Sequence, residues 1–374
     1  MIPLHSDHLA RIQEVLVFPD KALHLAYRVL GVSFQMQAQE RLAFHNCPTV
    51  FVHGNPHLDN YARYINGAGM VDFDRSRMGP FCWDVSRFWG SLLIKSKYPD
   101  SFGVEVTSAF CDAYAEHLLH PEREYPAPEF VALAEAKSWQ ENLRTYVAAD
   151  KKWANKLRRG AVPTDNPLLL TLLRGYLKAR DEHHLLDTHR IKEMGKTPGS
   201  LGKTHYLYLL ECKSNRDLMM FDLKETYTDS DSEYFYSPVP HHGLRMILAS
   251  NLYAPGLEQR LGHFTVNEVQ YWGREIQSFQ VKFKRPLNKR KQVALATSVG
   301  AQLGRAHRLS LVDVKPAEVI AYLHHYQHQI LEHSKWMVEQ AEVVVEELRK
   351  NATSLELSST NTHTSSSKNT LRIK

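Results

Sequence analysis

Apolar positions along the chain change period several times, and each change marks an element. Between residues 20 and 45, Leu23, Tyr27, Leu30 and Phe34 recur three or four apart, predicting a helix with one buried stripe and Asp20 as its cap. Pro48 ends it. The run Val50-Phe51-Val52 predicts a short buried strand and Met70-Val71 a second. After the turn at Gly79-Pro80, an apolar helix continues through Leu92, Leu93 and Ile94. Residues 104–160 read as mainly helical and end in a basic stretch at 151–159.

Past residue 190 the pattern becomes that of a sheet. Tyr206 to Leu210, a polar turn at 213–217 and Leu218 to Glu225 predict a β-hairpin. Period-two alternation puts Met219, Phe221 and Leu223 on one face, and Leu218, Met220, Asp222 and Lys224 on the other. Lys224 then shares a face with two apolar side chains able to roof a flat base. From Pro316 to Lys350, Ile320, Leu323, Ile330, Met337, Ala341, Val344 and Leu348 form the inner stripe of a long helix. Residues 351–374, rich in Ser, Thr and Asn, predict disorder. The fold class is α+β.

Composition adds bounds. The chain has 374 residues, 43% hydrophobic and 23% charged, enough for one large core or two modest ones. No apolar run is long enough to span a membrane, and residues 1–7 lack the character of a signal peptide. Cys47, Cys82, Cys111 and Cys212 form no CxxC pair and read as reduced thiols of a cytoplasmic protein. A net charge of +5 suits an anionic ligand such as a nucleotide without indicating nucleic acid.

The chemistry concentrates in two short loops. His53-Gly54-Asn55-Pro56-His57-Leu58-Asp59-Asn60 follows the first strand, and Asp72-Phe73-Asp74 follows the second, twelve residues after Asn60. This spacing suits a phosphotransferase: one loop offers a polar residue at the nucleophile and an amide for a metal, the next a carboxylate for the same metal. Where such a loop normally carries aspartate this chain has Asn55, which cannot accept a proton as a general base.

These loops, with Gly79-Pro80, Trp83-Asp84 and Arg87, resemble the bacterial domain of unknown function 2252, a family similar to aminoglycoside phosphotransferase-like and protein-kinase-like folds. The resemblance continues through Gly199-Ser200-Leu201-Gly202, Asp222-Leu223-Lys224-Glu225 and Leu303-Gly304-Arg305-Ala306-His307. Because the glycine loop and lysine follow the catalytic and metal loops, it implies a circularly permuted, two-lobe kinase-like fold. Residues 1–185 would form the catalytic and metal segment of a large helical lobe, 186–292 a small antiparallel-sheet lobe, and 293–350 helices returning to the large lobe. The resemblance implies ATP and Mg²⁺ as cofactors, with Asn60, Asp72 and Asp74 as metal ligands and Gly199, Ser200, Gly202 and Lys224 on the nucleotide. Asn55, His53 and Lys224 would be the catalytic group, and Asp84 a structural acceptor for backbone N–H groups of the 53–60 loop. Neither Glu225 nor the helix-like stretch 243–252 offers an acidic partner for Lys224.

Enzyme and pseudokinase both remain open, since Asn55 weakens or removes catalysis. The alternative of a different class is a scaffold or polyanion-binding protein using the basic runs 151–159 and 282–291, with Trp153 and Phe283 as stacking groups. His324 and His328, four apart on the last helix, read as a solvated face rather than a metal site.

Overall fold

The computed structural model describes residues 6–39, 46–64, 67–96, 102–125, 127–131, 139–199, 203–226, 235–276 and 285–359, with residues 231, 279–280 and 283. Its frame begins where two strands meet. Strand β1 (Thr49–Val52) pairs antiparallel with β4 (Arg77–Pro80), from Thr49 opposite Pro80 to Val52 opposite Arg77. Between them lies the hairpin of β2 (Tyr61–Tyr64) and β3 (Gly67–Met70). Because Val52 and Arg77 are partners, the loop leaving β1 and the loop entering β4 emerge side by side. The two sequence motifs occupy those two loops.

Helix α3 (Phe81–Ile94) starts directly after β4 and is buried from Phe81 to Leu93. Around it pack α2 (Pro19–Gln39), α4 (Val104–Leu119), α10 (Lys289–Leu309) and α11 (Pro316–Ser359). Tyr27, Leu30 and Phe34 of the predicted stripe are buried against Met337, Ala341, Val344 and Leu348 of α11, with Leu23 partly so. Helices α4 and α10 approach closely: a side chain at Gly304 would collide with the carbonyl of Tyr114.

A second body is a six-stranded antiparallel sheet in the order β5-β6-β7-β8-β10-β9. Its strands are β5 (Ala161–Val162), β6 (His189–Pro198), β7 (Thr204–Cys212), β8 (Leu218–Glu225), β9 (Gln259–Val266) and β10 (Val269–Glu275). The predicted hairpin is β7–β8, with Leu210 opposite Met219. As the alternation requires, Met219, Phe221 and Leu223 face α7 (Pro167–Ala179), joining Leu169, Leu172 and Tyr176. Leu218 and Met220 lie in the cluster on the other face, but they do not roof an open site. They are buried with Leu143 of α5 (Trp139–Ala148) and Leu157 of α6 (Lys152–Arg159), whose apolar stripes fill that part of the face.

Two expected boundaries shift. The division at 185/186 falls inside the sheet body, because β5 is its edge strand and α7 docks on it through apolar side chains. Helix α11 runs to Ser359, past the residue 350 at which disorder was expected, while 360–374 lie outside the described residues. All four cysteines are free thiols, and Cys47 Sγ lies 2.7 Å from Cys82 Sγ. Among the described residues no helix is long and apolar enough to cross a membrane.

One buried base gives the helical body a pH dependence. His333 of α11 stacks on Trp336 with 5.6 Å between ring centroids, and burial pushes its pKa down from 6.5 to about 4. Below pH 6.5 the unfolded chain gains a proton there that the folded chain refuses, so stability falls as the pH drops toward 4. The full gap corresponds to roughly 3 kcal/mol. Urea unfolding at pH 7 and pH 4.5 should show a smaller acid loss for His333→Phe than for the parent chain.

Candidate functional site

The 53–60 loop is shaped from below by a carboxylate. Asp84, fully buried on α3, accepts the backbone N–H of His53 at 2.6 Å and of Gly54 at 2.9 Å. It also accepts the Tyr253 hydroxyl at 3.2 Å and lies 3.1 Å from His307 Nε2. Since a carboxylate only accepts, His307 Nε2 is the donor, and its Nδ1 lies 2.8 Å from the Tyr114 hydroxyl. Asp84 thus has the structural role expected of it. Gly54 has φ +80, and a side chain there would strike the Arg75 carbonyl, so glycine is what lets the two loops touch.

His53 is fully buried beneath the loop, 5.0 Å from the Phe73 ring and 5.5 Å from that of Tyr253. Burial lowers its pKa despite the charges of Asp84 and Asp72. His53, which the resemblance placed in the catalytic group, thus sits below the loop surface. Asn55 is the polar group at the loop's crest. Its Oδ1 receives Arg87 Nε at 2.9 Å, and its carbonyl receives Asn60 Nδ2 at 3.2 Å. The second bond fixes the amide of Asn60 across the loop.

The second loop turns sharply. Asp72 adopts φ +76 at the end of the β2–β3 hairpin, then Phe73 enters the core and Asp74 points toward the sheet body. Lys224 of β8, 150 positions away, donates to Asp74 Oδ2, and both are buried. Burial opposes both charges, yet their attraction, reinforced at Lys224 by Asp72, keeps Lys224 above and Asp74 below their ordinary values. The acidic partner that sequence reasoning missed is therefore a carboxylate read as a metal ligand. Asp74 Oδ1 has no partner among the described residues. Asp72 and Asp74 both line the cleft in front of Asn55, and carboxylate oxygens are the ligand type a hard cation takes. No group of three or more His, Cys, Asp or Glu that could hold a metal occurs among the described residues.

Further charges line the sheet side. Asp222 shares the Lys224 face and lies 2.7 Å from His205 Nδ1, with Arg274 at 3.6 Å. Lys156, from the basic run 151–159, is partly buried; burial lowers its pKa while Asp222 acts to raise it. Arg245 of α9 (His242–Tyr253) is buried and donates to the carbonyls of Ser76 and Asp74. Its sequence signal was a single cation in an apolar helix. Gly199 receives Arg11 at 2.9 Å, whereas Ser200, Leu201 and Gly202 lie outside the described residues.

The remaining candidates lie elsewhere. His324 and His328 are exposed. Trp153 packs on His205 at 5.3 Å, and Phe283 packs against the large core beside Tyr61 and Phe130, so neither is a free stacking platform. Lys289 pairs with Glu105 and Arg290 with Glu129, while Lys282 and Lys284 lie outside the described residues.

A loop locked by a buried helix aspartate, a neighbouring aspartate loop and a sheet lysine are features of a kinase-like phosphotransferase. Comparison with family models agrees. Residues 10–130 match the phosphotransferase enzyme family (APH), and residues 169–351 match an uncharacterized protein conserved in bacteria (DUF2252). No curated protein and no solved structure matches the chain.

The buried pair has a measurable weight. Lys224→Met leaves Asp74 buried without its counter-charge and should cost about 3–5 kcal/mol in urea unfolding. Adding Asp74→Leu to Lys224→Met should recover most of that loss, because the double variant buries no unpaired charge.

Proposed function

We infer that this chain binds ATP with Mg²⁺ between its helical and sheet bodies and is a slow phosphotransferase of the kinase-like class. The observation that carries the reading is the Lys224–Asp74 pair, which joins a sheet lysine to the aspartate loop from 150 positions away. That juxtaposition is what a circularly permuted kinase-like chain requires, and the phosphotransferase match over residues 10–130 supports the class. In this reading Asn60, Asp72 and Asp74 would hold the cation, a group that neutralises charge on phosphate oxygens. Lys224 would leave Asp74 for the phosphates, and the glycine-containing segment 199–202 would cover them with backbone N–H groups. Asn55 would orient the acceptor by hydrogen bonding without taking its proton.

Loss of a general base removes about 10²–10⁴-fold in rate, whereas positioning and charge neutralisation persist, so low activity rather than none is expected. Calorimetric titration of ATP with and without Mg²⁺ tests the site. Binding should depend on Mg²⁺ in the parent chain and in a His324→Ala/His328→Ala double variant, and the dependence should disappear in Asp72→Ala. Mg²⁺ dependence unchanged in Asp72→Ala would end the assignment.

Replacing Asn55 by Asp supplies a base for water as acceptor. ATP hydrolysis by Asn55→Asp should rise, by up to ~10²–10⁴-fold, when phosphate release is followed without added acceptor. No rise, with ATP still bound, would make the chain a nucleotide-binding pseudokinase.

A further inference from the structure

We propose that Cys47 and Cys82 form a modification site. A peroxide or a low-molecular-weight disulfide converts this dithiol reversibly to a disulfide that clamps the frame of the two loops. The inference stands on thiol geometry and does not depend on the nucleotide reading.

Strand pairing brings the two thiols together. Thr49 of β1 lies opposite Pro80 of β4, and one step outward the Phe81 N–H donates to the Pro48 carbonyl at 3.1 Å. A further step sets Cys47 opposite Cys82. Their sulfurs lie 2.7 Å apart although 35 positions separate them in the chain. A disulfide needs side chains that face each other, with sulfurs about 2.0 Å apart, so the bond forms with little backbone movement. Both residues stand on fixed parts of the fold: Cys82 in the first turn of α3, within the large core, and Cys47 packed against that core.

Access to the two thiols is unequal. Cys82 is fully buried, and burial, then its hydrogen bond with Cys47, pushes its pKa well above the ordinary thiol value. Cys47 is half-buried, with exposed Asn46 and Thr49 close by in the chain. An oxidant therefore meets Cys47 first, and Cys82 resolves the product. The other cysteines are placed differently. Cys111 is buried on α4, and Cys212, at the end of β7, has its sulfur 3.2 Å from Ser214 Oγ.

With hydrogen peroxide, the Cys47 thiolate attacks one oxygen, the O–O bond breaks, and the departing hydroxide takes a proton to become water. The product is a sulfenic acid at Cys47. The Cys82 sulfur then gives up its proton and attacks the Cys47 sulfur. The S–O bond breaks, the leaving hydroxide takes that proton, and the S–S bond forms. Two thiols are oxidised and one peroxide is reduced to two waters. Glutathione disulfide follows the same order through a mixed disulfide at Cys47 and releases two glutathione thiols; a dithiol reductant reverses either route.

The covalent ring closed by this bond runs from 47 to 82 and contains both the 53–60 and the 72–74 loops. It closes two positions before Asp84, the carboxylate that receives the His53 and Gly54 N–H groups. Oxidation thus ties the entrance of β1 to the entrance of α3, and the loops between them lose opened conformations.

The test treats the full chain with hydrogen peroxide or glutathione disulfide, alkylates it, digests it without reductant and maps the peptides by mass spectrometry. A peptide crosslinked between Cys47 and Cys82 should appear and should vanish on reduction with dithiothreitol. In peroxide-treated Cys82→Ser, dimedone should label Cys47; in Cys47→Ser it should leave Cys82 unlabelled. Hydrogen exchange across residues 53–74 should slow about tenfold in the oxidised parent chain. The same treatment should leave exchange in Cys47→Ser unchanged, which separates the bond from other oxidation. Four results would each overturn the proposal: no crosslink while Cys212 is oxidised, crosslinking only in the urea-unfolded chain, pairing of Cys47 with another cysteine, or a crosslink that leaves exchange in 53–74 unaltered.

Discussion

Asp84 is the interaction on which the rest of the site depends. A carboxylate with no exposure is tolerated only when its lone pairs are met, and here donors arrive from the 53–54 backbone, from Tyr253 and from His307. Those donors belong to the β1 loop, α9 and α10, and the acceptor belongs to α3. One side chain therefore fixes the loop's height and orientation relative to three helices. Asn55 and Asn60 take their positions from a loop that cannot slide without stranding a buried charge.

The second loop is held from the opposite direction. Lys224 reaches Asp74 from the sheet, while Arg245 reaches the carbonyls of Asp74 and Ser76 from α9. With Gly54 packed against the Arg75 carbonyl, the two loops form one unit gripped by both bodies. Chain order matters little to such a unit, because its members meet across 150 to 171 positions.

Much of this was legible before the structure. The β7–β8 hairpin followed from alternation and a polar turn, and the stripes of α2 and α11 followed from helical spacing. Three features were not, each for a physical reason. Asp74 looks like any loop carboxylate, and only the fold brings Lys224 to it. The 104–160 stretch reads as helical, but that does not show that α5 and α6 dock on Leu218 and Met220. His53 carries a reactive ring, and its inaccessibility comes from Phe73 and Tyr253, which arrive from distant segments.

Asp72 has one more consequence. At φ +76 it holds a left-handed backbone that L-residues other than asparagine and aspartate seldom adopt, at a cost on the order of 1–2 kcal/mol. Glycine would relax that strain but would remove the carboxylate. The fold thus stores conformational energy at the position whose oxygen atoms the chemistry would need. Because the Lys224–Asp74 pair and the close approach of Gly54 to the Arg75 carbonyl hold that bend, the loop is set in shape by the fold itself, with little ordering entropy left to lose on binding.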